Sequence, residues 1–266
     1  MADVMEERIR SIQFSSGIAF ILGALLLALT ITLYPSLPPA NETNRVLEVL
    51  VKQDTASWMW LHAMMVAGFA LVTVAFTAFS FQLHLRGSSG AASVVSSCAL
   101  VSGGLWAAFL SAEFFVHPFV KNLMGIEPGL ATMLFNTFWY WKMGALWTAG
   151  LLTFVAVIAA GTTATARGIL PVWLGWGGAV FATLGVLIYV FEFMTSTATG
   201  SAINPMRGGF ARFGVGLTLQ IWLLATGATF FSEWKNRVTT LPPQVRTPVP
   251  KRESHDPGAT GAAGAA

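Results

Sequence analysis

The sequence predicts an all-α, polytopic integral membrane protein, a bundle of six transmembrane helices. Three observations carry that expectation. Six long apolar segments can be marked, Gln13 to Tyr34, Ser57 to Phe81, Ser93 to Pro118, Phe135 to Ala160, Ile169 to Met194 and Gly209 to Phe231. Each matches the roughly 20 residues a helix needs to cross about 30 Å of hydrocarbon. The composition is 55% hydrophobic and 10% charged, whereas a soluble domain carries about 25% charged residues. Segments of about ten residues with alternating polarity, the mark of a transmembrane β-barrel, are absent.

Residues 1–12 form a polar lead-in with Asp3, Glu6, Glu7, Arg8 and Arg10. The apolar run that follows exceeds a secretory signal's core and ends in Tyr34-Pro35, not at a small-residue cleavage site, so it reads as a permanent helix. Pro35, Pro38 and Pro39 break it, because proline lacks the amide hydrogen and clashes with the preceding turn. Asn41 to Asp54 mixes Val46, Leu47 and Leu50 with Arg45, Glu48 and Lys52, a pattern that suits a short helix in the membrane interface.

The second segment opens on Trp58-Met-Trp60-Leu-His62, with tryptophans where amphipathic rings favour the headgroup level. The linker Gly87 to Ala92 marks a tight hairpin into the third segment, which carries Cys98, read as a small buried apolar residue, and ends at Glu113, His117 and Pro118. Lys121 to Leu134 reads as a second interfacial excursion, after a break at Pro118. The fourth segment then opens on Trp139-Tyr-Trp141-Lys142, repeating the Trp-x-Trp pair. A third excursion, Thr195 to Arg212, precedes the sixth segment. The pattern therefore reads as three repeated hairpins, each a helix, a proline break, a weakly amphipathic stretch and a helix. Residues 13–234 make up the transmembrane domain. Residues 235–266, rich in Pro, Ala and Gly, lack the apolar residues that would offset the entropy of ordering and are expected to be disordered.

Arg86 and Arg167 lie in short loops on the side shared with both termini, so the positive-inside rule places N- and C-termini in the cytoplasm, with a bacterial inner (plasma) membrane as the expected location. The net charge of +3 is scattered, which argues against a nucleic-acid partner. The lipid bilayer is the expected surrounding, and aromatic helix faces are the expected contacts for membrane-protein partners. Gly175, Gly177, Gly178, Gly214, Gly216 and Gly227 read as sites of close helix packing. Nucleotide-binding, serine-hydrolase and zinc-protease signatures are missing.

Helix direction selects the candidate site. His62 and Lys142 lie early in inward-running segments, while Glu113, His117 and Glu192 lie late in outward-running ones, so all five share one depth near the extracytoplasmic face. Glu113 and His117, four apart, project from one side of their helix. Ionisable groups inside a membrane are costly and mark functional sites by default. Three chemistries fit. His62, Glu113, His117 and Glu192 suit a divalent metal. His62 and His117 suit a haem b, with a redox role. Glu113, Lys142 and Glu192 suit a buried charge network without a cofactor, holding a proton or a small ligand. Gln220, midway along the sixth segment, is expected to complete the polar network by hydrogen bonding. The expectation placed first is a membrane-embedded cofactor site, with a non-catalytic scaffold subunit and a small-solute carrier as alternatives.

Overall fold

The computed structural model describes the backbone of residues 2–35, 43–199 and 216–240, and side chains at 7–35, 43–191 and 216–236. The described residues form seven helices: α1 Ala2–Leu33, α2 Thr43–Lys52, α3 Thr55–Leu85, α4 Ser89–Met124, α5 Pro128–Ala166, α6 Val172–Thr199 and α7 Thr218–Thr240. Five of them, α1 and α3 to α6, are long and apolar enough to cross a membrane. The expected sixth segment, Gly209 to Phe231, begins outside the described residues, and α7, which covers its later part, is not one of these five. The chain is thus a helical membrane bundle.

The helices are linked as a ring. α3 packs on α1 and α4, α4 on α5, α5 on α6, and α7 closes the ring mainly against α1 and more lightly against α6. Small residues set the closest approaches, since lipid supplies no hydrophobic drive and association relies on close van der Waals contact. At the α1–α7 crossing, a Cβ added to Gly227 would lie 2.7 Å from the Gly17 carbonyl oxygen. At the α5–α6 crossing, a Cβ on Gly175 would lie 2.6 Å from the Gly161 carbonyl oxygen. Gly178 makes room for Trp222, whose Nε1 donates to the Leu174 carbonyl at 2.9 Å across the α6–α7 seam. Gly216 only meets Ile31, Gly177 faces open space, and Gly214 lies outside the described residues.

The tight hairpin between α3 and α4 is present, with Gly87 at φ +77°, a left-handed conformation that glycine adopts without steric cost. It meets the α5–α6 turn, where Arg167 donates from Nε to Ser88 Oγ at 2.7 Å and from Nη2 to the Gly87 carbonyl at 3.2 Å. Arg86 and Arg167 therefore share one end of the bundle. The amphipathic stretch after α1 forms α2, with Val46, Leu47 and Leu50 buried and Arg45, Glu48 and Lys52 exposed.

Two expectations are corrected. Pro118 does not break the third segment: it sits inside α4, which runs on for two more turns to Met124. Loss of one backbone hydrogen bond is tolerated where packed neighbours hold the helix. Lys121 to Leu134 is accordingly no separate interfacial helix, because α4 and α5 extend to a three-residue turn, Gly125 to Glu127, and Pro128 takes the first position of α5, where its missing amide costs nothing. The first two hairpins therefore differ at this end, with α2 the one short helix among the described residues. The first residues of the expected third excursion, 195–199, and of the expected tail, 235–240, belong to α6 and α7, and the rest of both lies outside the described residues.

Candidate functional site

Three helices bring their ionisable residues to one point. Glu113 of α4 accepts from Lys142 Nζ of α5 at Oε1 and meets His62 Nε2 of α3 at Oε2. All three are buried, His62 completely. The shared depth expected for His62, Glu113 and Lys142 is thus a direct triad with the carboxylate at its centre.

The Trp-x-Trp pairs explain how α3 and α5 present these groups. Residues two apart on a helix point to nearly opposite sides. Trp58 and Trp139 face inward, 3% and 2% exposed, while Trp60 and Trp141 are each 73% exposed and face the surroundings of the bundle. One turn after each inward tryptophan comes a triad member, His62 after Trp58 and Lys142 after Trp139. Lys142 Nζ lies 4.5 Å from the centre of a Trp139 ring, a cation–π contact that supports the ammonium from the apolar side. The Trp58 ring lies 4.3 Å from that of His62 and stacks at 5.2 Å on that of His117. Tyr34 closes the same edge, its ring 6.1 Å from His62.

His117 shares the layer without joining the triad. Its Nε2 donates to the Leu50 carbonyl at 2.8 Å, and one turn on Lys121 Nζ donates to the Gln53 carbonyl at 3.0 Å. A short helix ends in carbonyls without intrahelical partners and in partial negative charge. The i, i+4 pair of α4 caps that end, which fixes α2 across the mouth of the triad. Beneath α2 lies a cavity of about 20 Å³ lined by Leu50, Trp58, Glu113, His117 and Phe135 among others. The His117 Nδ1 and the indole nitrogens of Trp58, Trp106 and Trp139 are buried without hydrogen-bond partners.

Valence fixes the protons of the pair. The His62 Nδ1 lies 2.9 Å from the Trp58 carbonyl, which only accepts, so Nδ1 carries a hydrogen. Nε2 then faces a carboxylate oxygen, and a bare lone pair there would oppose another. One proton must sit between them, on the imidazole or on the carboxyl. With the Lys142 ammonium, the triad carries one positive charge in either form.

The remaining sequence candidates are placed as follows. Gln220 is buried but lines a different cavity, in the middle of the bundle, with Ser102 and Thr153. Glu192 lies on α6, on a stretch whose side chains are outside the described residues. Among the described residues, no three of His, Cys, Asp and Glu come together as a metal-holding group. Nε2 of both histidines is engaged, one by the carboxylate and one by a carbonyl, and Trp58 contacts both imidazole rings.

Sequence reading missed two features. The hydroxyl pair of Ser102 and Thr153, 2.7 Å apart, carries no distinguishing signal, because single Ser and Thr residues are ordinary in membrane helices. Gln13 donates to Glu233 at 3.0 Å at the opposite end of the bundle, and the segment boundary had left Glu233 out of the sixth span.

The chain matches no protein-family model, no curated protein and no solved structure. The class of protein is therefore set by the bundle itself, an α-helical membrane protein with a buried His–Glu–Lys triad.

Proposed function

We propose that this protein is a multi-pass membrane carrier for a small solute and that the His62–Glu113–Lys142 triad is its proton-exchange centre. The observation that supports this most directly is the contact of His62 Nε2 with a carboxylate oxygen of Glu113 while Nδ1 is committed to the Trp58 carbonyl. That geometry stores one exchangeable proton in a place where charge is expensive. With the Lys142 ammonium beside it, release of the proton leaves a neutral triad in place of a cationic one. Glu113 also lines the cavity under α2, where Trp58 Nε1 and His117 Nδ1 offer an unused donor and an unused lone pair to a polar solute.

The metal and haem readings are less well supported. Either would require the histidine nitrogens to leave their present partners, and a haem between His62 and His117 would require Trp58 to move from its contacts with the two rings. The positive-inside bias of Arg86 and Arg167 favours cytoplasmic termini and a triad toward the extracytoplasmic face of a bacterial inner membrane.

The test is pH-difference infrared spectroscopy on the protein in lipid. A carboxyl band that appears and disappears reversibly with pH, is lost in Glu113→Gln and is displaced in His62→Gln is the expected result. A spectrum without any pH-dependent contribution from Glu113 would overturn the proton assignment. A band removed by Glu113→Gln but indifferent to His62→Gln would remove the shared proton.

A further inference from the structure

The mid-bundle cavity is separate from the triad. Along α3, Thr73 is eleven residues beyond His62, and along α4, Ser102 is eleven residues before Glu113. At 1.5 Å per residue each separation is about 16 Å, half the thickness of the hydrocarbon layer.

This cavity has a volume of about 30 Å³ and is lined by Thr73, Ser102, Thr153 and Gln220 together with apolar side chains that include Phe76 and Leu223. Its polar atoms share one property. The Thr73 hydroxyl donates to the Phe69 carbonyl at 2.8 Å, and Thr153 Oγ1 lies 2.9 Å from the Ala149 carbonyl oxygen. Ser102 Oγ lies 2.8 Å from the same carbonyl oxygen and 2.7 Å from Thr153 Oγ1, so one of the two hydroxyls donates to the carbonyl and the other to its neighbour's oxygen. With every hydroxyl hydrogen committed to a carbonyl or to the neighbouring hydroxyl, each of the three oxygens keeps at least one lone pair to offer. Gln220, 5% exposed, adds Oε1, an acceptor that is buried without a partner. The unpartnered Oε1 among these oxygens calls for a guest that donates. Among the described residues no carboxylate lines the cavity, which disfavours a cation at this depth. A water needs about 10–15 Å³ and two to four polar partners, and both conditions are met.

We infer that the cavity formed by Thr73, Ser102, Thr153 and Gln220 is an internal hydration site, binding one or two waters that donate to Gln220 Oε1 and to the hydroxyl oxygens of α3, α4 and α5. The site joins α7 to the rest of the ring through the bound water, and it stands whatever the triad does.

Hydroxyl-radical footprinting with short radiolytic pulses, on the full chain in lipid, tests this with water as its own probe. Phe76 and Leu223, 2% and 1% exposed, should be oxidised at rates several-fold above those of Phe20 and Phe79, which are fully buried in the neighbouring core. Gln220→Leu and, independently, Thr153→Val should lower labelling at Phe76 and Leu223 toward that background, and Gln220→Glu, which keeps an oxygen acceptor, should preserve it. Wild-type labelling at the level of Phe20 and Phe79, or labelling unchanged in both Gln220→Leu and Thr153→Val, would overturn the site. The triad's infrared band is read separately in the same variants and has no bearing on this outcome.

Discussion

The two ends of the bundle are built on opposite principles. At the hairpin end, α1, α3 and α7 close around Phe20, Phe76, Phe79 and Phe230, edge-to-face pairs such as Phe20–Phe76 at 5.1 Å filling the space. Its buried polar groups are uncharged or lie at the boundary: Gln82 donates to Ser16 Oγ at 3.2 Å, and Gln13 reaches Glu233. At the triad end, a carboxylate, an ammonium and an imidazole are buried together under α2, with aromatic rings instead of small residues as their walls. Packing there is subordinate to charge. The difference teaches that this fold is held by one end and carries its chemistry at the other, and each substitution below asks whether that division holds.

The largest effect is expected at the triad. Lys142→Met removes one of the two partners of a buried carboxylate, and breaking such a pair costs about 3–5 kcal/mol. Thermal unfolding in detergent should show a much lower midpoint. The double variant Glu113→Gln with Lys142→Met should recover most of that loss, since no unpaired charge remains. Additive losses would mean that the two residues do not act as a pair, and the electrostatic character of this end would be wrong.

The hairpin end should respond to size, not charge. Gly227→Val drives a side chain into the Gly17 carbonyl and Phe20, where the first added atom already meets oxygen at 2.7 Å. Overpacking of this kind costs about 1–3 kcal/mol. Gly144, near the triad on α5, has nothing within 4 Å of an added Cβ, and Gly144→Ala should leave the midpoint unchanged or raise it slightly. Equal losses at the two glycines would erase the distinction between the ends.

Much of this division was legible in the sequence, through helix direction. Counting inward and outward segments put His62, Glu113 and Lys142 at one depth, and rarity of charge within the apolar runs singled out Glu113 and Lys142. Depth alone could not assign azimuth, which is why His117 looked equivalent to His62: both face inward, but α2 claims one of them through its terminal carbonyls. That short helix was itself readable from the alternation of Val46, Leu47 and Leu50 with charged residues, whereas its docking on α4 depends on contacts 67 residues apart in the chain. Pro118 misled because the rule that proline ends helices is strongest in water, where a broken helix can satisfy its backbone with solvent. Gln220 stood out as a polar residue midway along the sixth segment, but its cavity neighbours Thr73, Ser102 and Thr153 did not, since the lining of that cavity is a property of three-dimensional packing.

A smaller effect is expected from His117→Ala. One hydrogen bond to a carbonyl contributes about 0.5–1.5 kcal/mol net, and its loss should loosen α2 with little change in global stability. Amide hydrogen exchange should accelerate across Val46 to Lys52, while the Glu113 infrared band keeps its pH response. A band abolished by His117→Ala would place His117 inside the proton site after all and merge the layer into one cluster.

The smallest effect lies at the seam between α2 and α3, just outside the membrane-spanning part of α3. Asp54 has an extended backbone at φ −67° and ψ 126° and caps α3 by accepting the Ser57 amide at 2.8 Å. That hydrogen bond holds its carboxyl below the ordinary value of 3.8. Because the folded value is the lower one, the cap's contribution is complete above about pH 3.8, the unfolded value, and is lost as the pH falls through the depressed folded value. Acid should therefore fray the first turn of α3, seen as faster exchange at the Ser57 amide. Asp54→Asn keeps an acceptor without a titrating proton and should abolish that acid sensitivity, whereas Asp54→Ala should fray the turn at every pH. Acid-dependent exchange at Ser57 that persists in Asp54→Asn would assign the effect to the triad end as a whole, and the cap would no longer be its separate boundary.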